Sequence, residues 1–180
     1  EDTLKKNPRT AFIYVIPNFQ NPTGRTMSLN RRKQILELAY KYNVLIIEDN
    51  PYGDLRFAGE DVPSIRSMDT KGHVIYAGTF SKTVAPGLRV GYMCADKSIV
   101  SKAICALQVS TVHTNIMAQM IVHKFLTRYD FSEHLEGLRE IYRKKCDLML
   151  NCLKYKMPKS ISVTEPDGGL FIWGTLPNGD

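Results

Sequence analysis

Three short stretches hold the side chains able to do chemistry. The densest is Thr79-Phe80-Ser81-Lys82, with Arg89 seven residues after the lysine. Hydroxyls donate hydrogen bonds, and an arginine grips a phosphate with a planar fork of N–H groups. A lysine attacks a carbonyl only as the neutral amine, a form favoured by burial and by neighbouring positive charge. The second stretch, Glu48-Asp49-Asn50-Pro51-Tyr52-Gly53, offers a carboxylate and a phenol three residues apart. The third, Asn18-Phe19-Gln20-Asn21-Pro22-Thr23-Gly24, offers the amide of Asn21 in a loop that Pro22 bars from helical geometry. Such groups suit an anionic ligand that also carries a carbonyl. Blander readings stand beside this one: a solvated Lys82 in a surface loop, Asp49 as a cap and Asn21 in an Asx turn.

Each stretch follows an apolar run. Ala11 to Ile16, Val44 to Ile47 and His73 to Tyr76 read as strands, the first buried on both faces as in a parallel sheet. Between the first two, Ser28 caps a helix predicted over Leu29 to Tyr42, with Ile35, Leu38, Ala39 and Tyr42 as its apolar stripe. Strand, helix, strand, crossover and strand make an α/β domain with a mostly parallel sheet flanked by helices. Such sheets bind ligands beyond the carboxyl ends of their strands. Here those ends deliver Asn21, then Asp49 and Tyr52, then Thr79, Ser81 and Lys82.

Val90 to Cys94 reads as a further strand, and Asp96 as the cap of a helix to about Leu107. A helix over Thr114 to Arg128 places Ile116, Met120 and Phe125 in the core. Asp130 with Glu133 resembles a capping box opening a long helix to about Tyr155, its stripe formed by Leu135, Leu138, Tyr142, Met149 and Leu153. Strands over Ser160 to Thr164 and Leu170 to Thr175 follow. Residues 1–130 therefore read as part of a large domain, and 131–180 as an interdomain helix with the truncated beginning of a smaller C-terminal α/β domain. The chain has no initiating Met, is read as opening without a helix or strand, and stops at Asn178-Gly179-Asp180. It is therefore taken as a piece of a longer protein.

Composition narrows the function classes. With 43% hydrophobic and 23% charged residues, the 180-residue chain is of ordinary globular make-up. No apolar run approaches a membrane span, and no signal-like segment opens the chain, which predicts a cytoplasmic protein. The net charge of +6 peaks at Arg31-Arg32-Lys33 and Arg143-Lys144-Lys145, both in helical patterns and read as solvated faces rather than a nucleic-acid surface. Cys94, Cys105, Cys146 and Cys152 read as reduced core thiols, and the four histidines lack metal-ligand spacing.

In order, Asn21-Pro22-Thr23-Gly24, Asp49-x-x-Tyr52 and Thr79-Phe80-Ser81-Lys82 with Arg89 resemble the fold type I pyridoxal-phosphate enzymes, above all the class I/II aminotransferases of the aspartate aminotransferase superfamily. Glu48 to Phe57 looks most like the branch containing 2-aminoadipate and aromatic aminotransferases. The resemblance covers nearly the whole chain. It implies the large domain of a pyridoxal 5'-phosphate-dependent transferase, in which Lys82 forms the internal aldimine and Asp49 pairs with the pyridine nitrogen. It further implies that Tyr52 and Asn21 bond the cofactor's phenolic oxygen, while Arg89, Thr79 and Ser81 hold its phosphate. The family commonly has Ser where this chain has Thr79, and the hydroxyl is retained. Lys82, Asp49 and Tyr52 are thus the implied catalytic residues, an amino acid and a 2-keto acid the substrates, and a homodimer the assembly. The family's glycine-containing phosphate loop, ring-stacking aromatic residue and carboxylate-binding arginine match no position here, so the chain alone is expected to be inert. Two other readings remain: another pyridoxal-phosphate enzyme, such as a β-lyase or decarboxylase, and the aminotransferase-like sensor domain of a winged-helix transcription regulator.

Overall fold

A computed structural model of the chain describes residues 1–177. Asn178, Gly179 and Asp180, where the sequence reading ends the chain, lie outside the described residues. The chain divides into two compact units. One comprises Glu1–Pro17, Met27–Pro51 and Val62–Lys124, and the other Asn18–Thr26, Tyr52–Asp61 and Phe125–Asp180.

The first unit is built on a four-stranded sheet: β1 (Phe12–Val15), β2 (Leu45–Asp49), β3 (Val74–Thr79) and β4 (Gly91–Cys94), in that spatial order. β1 and β2 pair in parallel, as do β2 and β3, whereas β4 runs antiparallel to β3. Helices α1 (Asp2–Lys6), α2 (Leu29–Tyr42), α3 (Ile65–Met68), α4 (Lys97–Ser110) and α5 (Ile116–Arg128) complete the order up to the long helix. The mostly parallel α/β architecture is thus as predicted.

Its core gathers Leu4, Leu36, Ala39, Val44, Ile46, Ile65 and Val74. The charged residues Arg32 and Glu48 are buried with it. Arg32 is 0% exposed and donates to the carbonyls of Pro17, Met27, Val62 and Pro63. Glu48 on β2 is equally buried, and its two carboxylate oxygens accept the Ile65 and Arg66 N–H groups at the start of α3, at 2.9 and 2.8 Å. Burial pushes the Glu48 carboxyl above its usual range, while those two bonds and the Arg32 charge oppose the rise.

The structure differs from the sequence-based expectations at several positions. The chain opens with α1, whose Leu4 is buried in the core. Within this chain β1 is the border strand, with Phe12 and Tyr14 each 53% exposed and Ile13 and Val15 packed on the core. The buried stripe of α2 runs through Arg32, Leu36 and Ala39, so the basic cluster at 31–33 is not wholly solvated. In α5 the buried residues are Ala118 and Val122, packed with Val90, whereas Ile116 and Met120 are exposed. The four cysteines are free, and within this chain Cys94, Cys105 and Cys152 are exposed and Cys146 is half-buried.

The second unit contains helix α6 (Phe131–Lys156) and a hairpin of β5 (Ser162–Val163) with β6 (Gly174–Thr175). Asp130 caps α6 by accepting the Ser132 and Glu133 N–H groups at 2.9 and 3.1 Å. Leu135 is its buried residue, while Met149 of the predicted stripe is exposed. Phe19 and Leu55, both 0% exposed, pack where the chain passes Gly168. A Cβ at Gly168 would lie 2.3 Å from Phe19 Cζ and 2.6 Å from the Leu55 carbonyl oxygen. The ring has nowhere to retreat and the carbonyl is backbone. Gly168→Ala is therefore expected to cost about 1–3 kcal/mol of stability, the usual penalty of overpacking. Denaturant titration checks this, and an unchanged midpoint would contradict the packing described.

Candidate functional site

The predicted site residues of the first unit sit where β2 and β3 run out. The parallel register sets Asp49, the last residue of β2, opposite Ala77. The Asn50 N–H then donates to the Ala77 carbonyl at 2.9 Å, extending the pairing by one bond. Thr79 closes β3 two residues beyond Ala77, and Ser81 and Lys82 follow after Phe80. A carboxylate on one strand and the hydroxyl and amine groups after its neighbour thus share one edge of one sheet.

After β3 the chain makes a closed loop before returning as β4. The Phe80 N–H bonds the Val90 carbonyl at 3.0 Å, while the Phe80 carbonyl accepts the N–H groups of Val84 and Ala85. The Thr79 hydroxyl donates to the Val90 carbonyl at 3.3 Å and accepts the Ser81 N–H at 3.1 Å. A short 3₁₀ turn, Pro86–Leu88, delivers Arg89 in the left-handed region, φ 56°. That turn bends the arginine back over the loop, where its guanidinium donates to Ser81 Oγ at 3.2 Å and to the Pro86 carbonyl at 3.3 Å. Ser81 is buried, Lys82 half-buried and Arg89 exposed. The structure therefore brings Thr79, Ser81 and Arg89 together, with Lys82 adjoining Ser81 in the same turn.

Asp49 has a partner that sequence reasoning missed. Tyr14 of β1 donates its phenol O–H to Asp49 Oδ2 at 2.5 Å. Tyr14 lies opposite Ile47 in the β1–β2 register, and Ile47 and Asp49 face the same side of β2, so the ring reaches one step along the strand. The sequence signal was a polar-tipped aromatic inside an otherwise apolar strand, and it needed the register before it meant anything.

Asn21 and Tyr52 belong to the second unit. Asn21 is exposed, precedes a cis peptide to Pro22, and has its carbonyl bonded by the Gln20 side chain. Gly24 closes the loop at φ +68°, where a Cβ would lie 2.5 Å from the Phe171 carbonyl oxygen. Tyr52 is 6% exposed, and its ring meets Phe171 edge-on at 5.3 Å.

The donor set at the sheet edge matches the functions of the cofactor implied by the sequence. Hydroxyls and a guanidinium drawn together suit a phosphate dianion, a carboxylate suits a protonated ring nitrogen, and a lysine suits an aldehyde. Pyridoxal 5'-phosphate has all three functions, so the residues present fit it.

A mostly parallel sheet with polar and charged groups beyond its carboxyl ends is the arrangement in which α/β proteins bind ligands. Comparison with known proteins then gives the family. The model for aminotransferase class I and II matches residues 1–179, and the chain belongs to that family. Aromatic-amino-acid aminotransferase 1 of Thermococcus litoralis is 43% identical over 179 residues, covering 99% of this chain and 43% of its own length. The crystal structure of Pyrococcus horikoshii kynurenine aminotransferase in complex with PMP superposes with a TM-score of 0.94 at 40% identity, over 99% of this chain and 45% of that one. The helix-turn-helix transcriptional regulator NorG of Staphylococcus aureus is 35% identical over 168 residues, 93% of this chain and 38% of the regulator. The chain thus spans less than half the length of each.

Proposed function

We propose that this chain is the cofactor-holding portion of a pyridoxal-phosphate-dependent aminotransferase, which moves an amino group from an amino acid to a 2-keto acid. The observation carrying the proposal is the register that sets Asp49 opposite Ala77, immediately before the Thr79–Ser81–Lys82 run and its Arg89 contact. In this reading Arg89, Ser81 and Thr79 bind the phosphate, with Ser81 and Thr79 also fixing the loop. Asp49 holds the proton on the ring nitrogen. Lys82 Nζ would hold the cofactor through its aldehyde carbon and, as a free amine, would move the proton of the substrate Cα as general base and acid. When bound, the cofactor supplies an electron sink for the charge left at that carbon. For Asn21 and Tyr52, contacts to the phenolic oxygen rest on the motif alone. The reading includes a homodimer in the cytoplasm, and no helix among the described residues is long and apolar enough to cross a membrane.

A second reading is favoured by the kinship with NorG: the same residues would hold a cofactor inside a transcription regulator. One experiment separates the two. The full-length protein is loaded with pyridoxal 5'-phosphate, reduced with borohydride and mapped by peptide mass, and its turnover is measured with pairs of amino and keto acids. A pyridoxyl group on Lys82 together with turnover supports the aminotransferase. The same label without turnover favours the sensor, and a label absent from Lys82 overturns both.

A further inference from the structure

We propose that Tyr14 is a positioning residue for Asp49, a role that rests on the reading of Asp49 as the carboxylate facing the cofactor's ring nitrogen. An aspartate carboxyl turns freely about its last torsion, a broad two-fold well. The plane it presents at a strand end must therefore be set by a neighbour. Tyr14 is that neighbour: its O–H to Oδ2 distance of 2.5 Å lies at the short end of the range of about 2.5–2.7 Å for a hydroxyl bonded to an ionised carboxylate.

The support behind the phenol is backbone. β1 and β2 pair continuously from Phe12↔Leu45 to Val15↔Glu48, so the Tyr14 Cα is fixed relative to Asp49 by the sheet rather than by a loop. Within this chain the core takes up Ile13 and Val15 of β1 and not Tyr14, whose ring is 53% exposed. Phenylalanine would satisfy strand propensity and packing equally well. What it would lack is the hydrogen bond that holds one carboxylate oxygen and thereby aims the other.

The test is a double-mutant cycle in the full-length holoenzyme with Tyr14→Phe, Asp49→Ala and both together. Tyr14→Phe keeps the ring and is expected to lower kcat about tenfold with little change in KM, the scale of one lost hydrogen bond to a charged group. In the Asp49→Ala background the same change is expected to do nothing further. Two readouts are independent of turnover. Pyridoxal 5'-phosphate should bind the Tyr14→Phe apoprotein several-fold more weakly, and the ring-nitrogen resonance of ¹⁵N-labelled cofactor should move toward its unprotonated position. Equal rate losses from Tyr14→Phe in both backgrounds, or an unmoved nitrogen resonance, would overturn the role of Tyr14. If Asp49→Ala alone leaves rate and resonance unchanged, the reading of Asp49 fails first.

Discussion

Lys82→Ala in the full-length protein is expected to lower transaminase turnover by about 10²–10⁴-fold, the usual contribution of a positioned general base, while the protein stays folded. The loop gives the reason for the second half. Its shape is held by the Phe80 carbonyl accepting from Val84 and Ala85, by the Thr79 hydroxyl and by Arg89 on Ser81, and none of these bonds involves the Lys82 side chain. Alanine at position 82 therefore removes the amine and leaves the turn. Lys82→Arg is the sharper control. It keeps a cation of similar reach, but a guanidinium stays protonated and can neither take up a proton nor carry an aldehyde. If the lysine acts only as a positive charge beside the phosphate, arginine should retain most of the rate. If it acts as a proton carrier, arginine should be as poor as alanine, and small primary amines added to Lys82→Ala should restore part of the turnover. Turnover of Lys82→Ala at the wild-type level would sink the assignment.

How much of this could be read from the sequence varied with the kind of signal. Strands β1 to β3 were legible because each is an apolar, β-branched run ended by Pro17, by Asp49 and Asn50, or by small hydroxylic residues. α2, α4 and α6 were legible from their caps, since Ser28, Asp96 and Asp130 each accept a backbone N–H as a cap should. Exposure was not legible. An apolar run such as Phe12 to Val15 looks alike whether one or both of its faces are covered, and the same ambiguity misplaced Ile116, Met120 and the cysteines. Charge misled in the opposite sense. Arg32 sits between two exposed basic residues, and nothing local marks it as the one turned inward.

The candidate site was legible where residue type and order carry the information, as in Thr79-Phe80-Ser81-Lys82. What the motif could not contain were contacts set by register. The Tyr14 bond to Asp49 depends on how β1 slides against β2, and a slip of one residue would turn the phenol to the other face. The left-handed Arg89 was equally hidden, because the fold imposes that backbone angle and arginine does not favour it.

Arg32→Ala is expected to be the most destabilising single change in the first unit, costing about 3–5 kcal/mol, the range for breaking a buried charged network. The guanidinium donates through Nε to the Met27 carbonyl at 3.0 Å, through one terminal nitrogen to those of Val62 and Pro63 at 3.1 Å each, and through the other to that of Pro17 at 3.2 Å. These acceptors lie on three separate segments, one of them the end of the β1 strand run. Alanine would take this donor from the carbonyls of Met27, Val62 and Pro63, leave that of Pro17 with only the Met27 N–H, and strip Glu48 of the nearby positive charge that opposes its burial. Lysine should recover only a small part of the loss, because a single ammonium cannot span acceptors laid out for a planar fork. The exposed neighbours supply the internal control: Arg31→Ala and Lys33→Ala should each change stability by about 0.5 kcal/mol or less. Denaturant titrations of the three alanine variants decide the matter. If Arg32→Ala unfolds within about 1 kcal/mol of the parent, the guanidinium does not hold these segments together, because even one buried carbonyl left unpaired costs about that much.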